Sequence, residues 1–274
     1  MSFAVVARKD FADARRSRSL WALSVLFVAF VAMMAYLYTQ LPSVTPDAAA
    51  SVTGLGLLAF LASPAALFVS IASVVVCYKA IAGESESGSG KLLLSLPHSR
   101  ADVILGKVLG RTALLVVPLV VGFVVALGAT VALGLALSPV EFATFVLVTL
   151  LFALAYVSLV VGLSATTTST TRASTLAIAA FVVFELLWDV VPLGAAFVAN
   201  GFAMPATLPN WALFVGQLAP SAAYMNAVAG VLPNNATLAS VPFYLTPAAS
   251  AVVLLAWIVL PVALGYRRYA SLDL

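Results

Sequence analysis

Along this chain, long apolar stretches alternate with short polar ones. Apolar residues run almost without interruption through 20–38, 54–78, 112–137, 142–163, 173–199 and 248–266. About 20 such residues, rising roughly 1.5 Å each as a helix, cross a hydrocarbon core about 30 Å thick. The pattern therefore predicts six transmembrane helices in an all-α polytopic membrane protein, with 1–274 forming a single transmembrane domain. A further apolar run over 211–232 carries Gln217, Pro220 and Asn226. As a seventh span it would place Arg267 and Arg268 on the opposite side from the other basic residues, so six crossings fit better. The run then belongs to an extracytoplasmic section, 200–247, that contains no charged residue and no histidine. Within it Trp211, Phe214, Val215 and Leu218 have helical spacing, which predicts short helices lying in or dipping into the outer interface. Pro64, Pro118 and Pro261 fall inside spans and predict kinks.

Ahead of the first span, Phe3, Ala7, Phe11 and Ala14 share one helical face, and Arg8, Lys9, Arg15, Arg16 and Arg18 populate the rest. This describes a basic amphipathic helix over 1–19, lying on the cytoplasmic leaflet. The first span has a longer apolar run than the 7 to 15 or so residues of a signal core and lacks a small-x-small cleavage site, so it is expected to be retained.

Composition agrees with the pattern. The chain is 64% hydrophobic and 8% charged, with a mean hydropathy of +1.15; a soluble globule carries about a quarter charged residues. Charge adds orientation. With the N-terminus inside, six crossings place all 13 lysines and arginines in the cytoplasm, as the positive-inside rule requires. Both termini are then cytoplasmic. The net charge of +3 describes a rim near anionic lipid, with no need for a nucleic-acid partner. The single cysteine, Cys77, and single histidine, His98, offer no disulfide framework and no His cluster for a metal, so no metal site is expected. Cys77 is read as packing and His98 as a surface residue. Asn235-Ala236-Thr237 is a glycosylation triplet on the outer side.

The longest polar stretch is GESESGSGKLLLSLPHSR, Gly83 to Arg100. Its Gly88-Ser89-Gly90-Lys91 invites comparison with a phosphate-binding loop, which requires G-x-x-x-x-G-K-[ST] after a buried strand. Here the first glycine's place holds Ser85, the hydroxyl's place holds Leu92, and the preceding element is a membrane helix. An ATP site is excluded. Instead, Leu92-Leu93-Leu94-Ser95-Leu96-Pro97 is an apolar run too short to span, on the cytoplasmic side; such a patch marks a partner surface. Residues 99–111 are predicted to form a helix held in cytosol by Asp102, Lys107 and Arg111 before the bilayer is entered at Thr112. Gly106 and Gly110, four apart, allow another helix to approach closely.

Glu84-x-Glu86-x-x-Ser89-Gly90-Lys91-Leu92-Leu93-Leu94-Ser95-Leu96-Pro97-x-Ser99-Arg100, followed by Ile104-Leu105-Gly106-Lys107, resembles the cytoplasmic loop between the second and third spans of ABC type-2 transporter permeases. The basic N-terminal helix, six spans, the small-residue loop 164–174, the outer hydrophobic section and the basic C-terminus extend the resemblance over nearly the whole chain. The outer section is similar to that of the copper-enzyme maturation subgroup. In that family's pattern a G-[ST] pair precedes the leucines; here it is spread over Gly88-Ser89-Gly90. The resemblance implies that 83–111 is a coupling loop docking on a separate ABC ATP-binding subunit. Leu93, Leu94 and Leu96 would be the buried contacts, Gly90 and Pro97 would bound the turn, and Glu84, Glu86 and Arg100 would be rim charges. It further implies no cofactor bound directly, ATP and magnesium on the partner subunit, and a dimer with a second permease copy or paralogue.

Two acids remain. Glu185 and Asp189 lie on one face of the fifth span, i and i+4, about 20 Å and 26 Å above Arg172. A charge at bilayer depth costs about 2.5 to 3.5 kcal/mol even on lenient scales, so such residues face a bundle interior or cavity. Glu185 reads either as a transport-pathway residue or as a helix-to-helix hydrogen bond; Asp189, beside Trp188, reads as pathway or interface. The function expected is that of a membrane permease subunit for export or flipping, driven by ATP hydrolysis elsewhere, and not an enzyme itself. The alternatives are an ATP-independent carrier and a membrane-embedded enzyme; one histidine and the lack of an aspartate cluster at a cytoplasmic helix end count against the enzyme.

Overall fold

The structure is a computed structural model that describes residues 3–15, 18–44, 53–88, 99–230 and 242–271. Helix α1 is Phe3–Arg15, α2 Arg18–Val44, α3 Gly54–Cys77 and α4 Ala82–Glu86. Then follow α5 Arg100–Ala132, α6 Pro139–Ser164 and α7 Thr170–Phe181, which passes into a π-helical turn at Val182–Leu187. The chain closes with α8 Val190–Ala199, α9 Asn210–Gln217, α10 Pro220–Ala229, a 3-10 turn at Phe243–Leu245, and α11 Pro247–Ala270. No strand occurs among the described residues, and six helices are long and apolar enough to cross a membrane.

Helix starts follow local chemistry. Thr53 caps α3 by accepting from the Gly56 N–H, and Thr246 caps α11 by accepting from Ala249. Ser99 and Asp102 form a reciprocal capping box at the start of α5. Pro139 and Pro247 occupy first-turn positions, where a missing N–H removes no helical bond.

The bundle is organised around α6, which packs against α3, α5, α10 and α11. Phe152, Tyr156, Val157 and Val161 on it are wholly buried. Helix α11 crosses α6 at bare backbone: a Cβ on Gly265 would fall 2.6 Å from the Gly162 carbonyl oxygen. On the other side, α5 packs against α1 and α2, and the Phe27 ring lies against Gly122.

Two expected span limits are corrected. The polar helix at 99–111 and the third span form one continuous element: α5 runs unbroken for 33 residues, about 50 Å, longer than a hydrocarbon core needs. It also stops at Ala132, short of Leu137. Gly134, at φ +65, places the chain in the left-handed region, and the Leu135 N–H returns to the Thr130 carbonyl at 2.9 Å; this glycine cap overrides the apolar Leu133, Leu135 and Leu137.

The fifth span is interrupted. Pro192 has no N–H to give the Trp188 carbonyl, which accepts from Val191 instead. The helix turns at Trp188 and Asp189 before α8 resumes.

The two short helices after α8 dip into the bundle. Helices α9 and α10, of 8 and 10 residues, each reach at most about half the length a span needs, so neither is a seventh crossing. Pro220 starts α10 where α9 has ended, and Tyr224 is driven into the bundle. Its ring stacks on Phe152 at 4.8 Å and its hydroxyl pairs with Thr149 at 3.1 Å. Thr149 is about 15 Å along α6 from its start.

Candidate functional site

Two polar constellations stand out in this apolar bundle: one at the end that gathers the basic residues, the other at membrane depth.

At the basic end, α1 lies across the first turns of α5. A Cβ on Gly106 would meet the Val6 Cβ at 2.6 Å, and one on Gly110 would meet the Ala7 carbonyl at 3.0 Å. The glycine pair read from the sequence as a close-approach site is therefore occupied by the N-terminal helix. This contact buries Asp10, 5% exposed, beside Lys107, 6% exposed. Lys107 Nζ lies 2.8 Å from Asp10 Oδ1 and 2.6 Å from Glu84 Oε1 on α4. Arg111 Nε is 2.8 Å from Asp10 Oδ2, and its Nη1 donates to the Val76 carbonyl at 3.0 Å. Lys107 and Arg111 are engaged inside the protein by a carboxylate about a hundred positions away.

The face of α1 turned inward is also different. Val6 and Asp10 are its buried residues, while Phe3 is exposed. Asp10 was missed by sequence reasoning, although an acid four residues after Val6, opposite a helix carrying Lys107 and Arg111 in the same i, i+4 register, was a readable signal.

The same end carries both roots of the loop between the second and third spans. Before it, the Ile81 and Ala82 N–H groups donate to Ser164 Oγ at 3.2 and 3.1 Å, and Glu86 Oε2 accepts from the Thr170 N–H at 3.2 Å. Gly88, at φ +73, then turns the chain out of α4. After it, Arg100 donates to the Tyr269 carbonyl and lies over the Tyr269 ring at 5.5 Å. Glu84, Glu86 and Arg100 are therefore engaged within the chain, binding the loop to α5, to the α6–α7 turn and to the end of α11. Gly90, Leu93, Leu94, Leu96, Pro97 and His98 lie outside the described residues.

At membrane depth, Glu185 sits on the π-helical turn. Ser70 Oγ, on α3, donates to its Oε1 at 2.9 Å, and Ser221 Oγ on α10 donates to the neighbouring Phe184 carbonyl at 3.2 Å. A π-helical turn shifts backbone bonds out of register, leaving carbonyls for such partners, and is frequent at functional sites. Glu185 and Asp189 line one cleft of about 690 Å³, together with Asn226 of α10 and Met34 of α2. Glu185 is half-buried and Asp189 exposed. Neither is paired with a cationic side chain among the described residues. No group of three or more metal-binding side chains occurs among those residues, and Cys77 is a free thiol buried in packing.

Six helices long and apolar enough to cross a membrane define a multi-pass membrane protein. The sequence family confirms it. Residues 4–274 match the model of the ABC-2 family transporter proteins, and the chain belongs to that family. It is 28% identical over 226 residues to a probable ABC transporter permease protein NosY of Stutzerimonas stutzeri, covering 77% of this chain and 76% of that one. Its identity to the protein of the same name from Pseudomonas aeruginosa is 30% over 218 residues, with the same coverage. Both relatives are named as probable permeases, and with the family membership they indicate that this chain is the membrane subunit of an ABC transporter. That is the family to which the loop motif pointed.

Proposed function

We propose that this chain converts ATP hydrolysis on a separate ATP-binding subunit into export or flipping of a substrate across the cell membrane. The loop 89–98 is the point of entry. Leu93, Leu94 and Leu96 form the buried contact with a groove on the partner, bounded by Gly90 and Pro97, with ATP and magnesium held wholly on that partner. Glu84, Glu86 and Arg100 serve chiefly to fix the roots of the loop, and the partner meets whatever of their charge remains at the rim.

One observation carries the reading: the flanks of the loop are tied by charge and hydrogen bonds to α5, the α6–α7 turn and α11, and through Lys107 to Asp10 of α1. A push on it is delivered to several elements of the bundle at once. The basic ends of α5, α7 and α11 share this side, so the positive-inside rule makes it the cytoplasmic one, with both termini there. A second copy or a paralogue completes the translocation route, which passes Glu185 and Asp189.

Co-purification tests the proposal. Leu93→Asp places a charge in the centre of the contact and is expected to reduce recovery of the ATP-binding subunit by at least tenfold, while the permease itself stays folded and in the membrane. Undiminished recovery would remove the loop from the interface.

A further inference from the structure

Where α11 crosses α6 at bare backbone, the two helices and Phe184 of the π-helical turn leave a groove of about 590 Å³ between them. We propose that this groove holds one acyl chain of an anionic phospholipid, whose phosphate is bound by Arg267 and Arg268. The groove follows one face of α11. Val253, Trp257, Leu260 and Leu264 line it at helical spacing, and Arg267 and Arg268, three and four residues further on, continue that face past its end. Both arginines are exposed, and neither has an acidic partner among the described residues. They differ in this from Lys107 and Arg111 at the same end, which are bound to Asp10.

The walls suit a hydrocarbon chain. No charged residue lines the groove, and its polar side chains are already satisfied by backbone. The Trp188 and Trp257 indoles donate to the Val215 and Leu218 carbonyls at 3.0 and 2.8 Å, and the Thr166 hydroxyl donates to the Leu163 carbonyl at 2.7 Å. From Gly265 back to Val253 the groove runs about 18 Å along α11. One leaflet of a hydrocarbon core about 30 Å thick is roughly 15 Å deep. A chain entering beside Gly265 therefore ends near the middle of the bilayer, with its headgroup level with the arginines. Basic sites at the ends of membrane helices recognise anionic headgroups, and guanidinium groups bind phosphate oxygens in pairs. A zwitterionic lipid would bring its own cation to Arg267 and Arg268; an anionic one does not. The site goes beyond the transport reading, since it needs neither an ATP-binding subunit nor a transported substrate.

Contact quenching of tryptophan by lipids brominated on their acyl chains tests this. The full chain is placed in phosphatidylcholine nanodiscs with the exposed Trp21 and Trp211 replaced by phenylalanine, so that emission comes from Trp188 and Trp257 in the groove. Brominated phosphatidylglycerol is expected to reach half its maximal quenching at a mole fraction about fivefold lower than brominated phosphatidylcholine does. Arg267→Gln combined with Arg268→Gln is expected to reduce that preference about threefold or more. Arg8→Gln combined with Lys9→Gln, an exposed basic pair on α1 that does not line the groove, is expected to leave it unchanged. Arg268→Gln alone keeps the comparison valid if the double variant fails to assemble, and should reduce the preference about twofold. Equal quenching by the two lipids, a preference that survives the arginine changes, or one lost equally on changing Arg8 and Lys9 would overturn the proposal.

Discussion

Asp10→Ala is expected to destabilise the protein by about 3 to 5 kcal/mol, the usual consequence of removing one partner from a buried ion pair. The carboxylate lies between two cations, Lys107 at 2.8 Å and Arg111 at 2.8 Å, with 5% of its side chain exposed. Without it Lys107 retains only Glu84, whose side chain is 28% exposed, and Arg111 retains the Val76 carbonyl. The larger part of the loss is the stranded positive charge, not a missing bond. Removing that charge as well should therefore recover stability. Asp10→Ala combined with Lys107→Met is expected to be more stable than Asp10→Ala alone, with a coupling energy above about 1 kcal/mol. Thermal unfolding of the detergent-solubilised single and double variants measures this. Additive losses would show that the three groups do not act as a unit. The N-terminal helix is held to α5 at this point, so Asp10→Ala should also expose 3–15 to limited proteolysis.

Gly265→Leu is expected to cost about 3 kcal/mol or more, because overpacking a site bounded by backbone leaves no side chain free to yield. A Cβ at Gly265 would lie 2.6 Å from the Gly162 carbonyl oxygen and 2.9 Å from its Cα. The only relief is to part α6 from α11, which carries the end of the bundle to which Arg100 is bound. Gly128 supplies the contrast: nothing lies within 4 Å of its added Cβ. Gly128→Ala should be neutral or stabilise by up to about 1 kcal/mol, through helix propensity alone. The yield of monodisperse protein and its unfolding temperature read both. A Gly265→Leu protein as stable as the wild type would mean that this crossing is not tight.

The sequence made the six spans legible because crossing a bilayer demands long apolar runs, and the run at 54–78 ended within a residue of α3. Its limits were local. Leucines at 133, 135 and 137 extended the third run past Gly134, because hydropathy is blind to a left-handed glycine cap. The break at Trp188 and Asp189 was hidden in an apolar stretch, with Pro192 its one visible sign. Asp10 escaped notice for a different reason. Its role depends on which face of α1 meets α5, a choice made by Gly106 and Gly110 nearly a hundred positions later. In the same way, that Glu185 and Asp189 line a single cleft with α2, α3 and α10 follows from packing, which spacing along one helix does not encode.

The central claim is that the loop between the second and third spans receives force from an ATP-binding subunit, and photo-crosslinking tests it most directly. Leu94 is replaced by a photo-reactive amino acid in the assembled transporter in native membranes, and Phe243, 79% exposed on the outer section, serves as the control position. The account predicts a covalent adduct between position 94 and the ATP-binding subunit, with a yield that changes on adding ATP, and none from position 243. Adducts from position 94 with lipid alone, or equal capture from both positions, would contradict it.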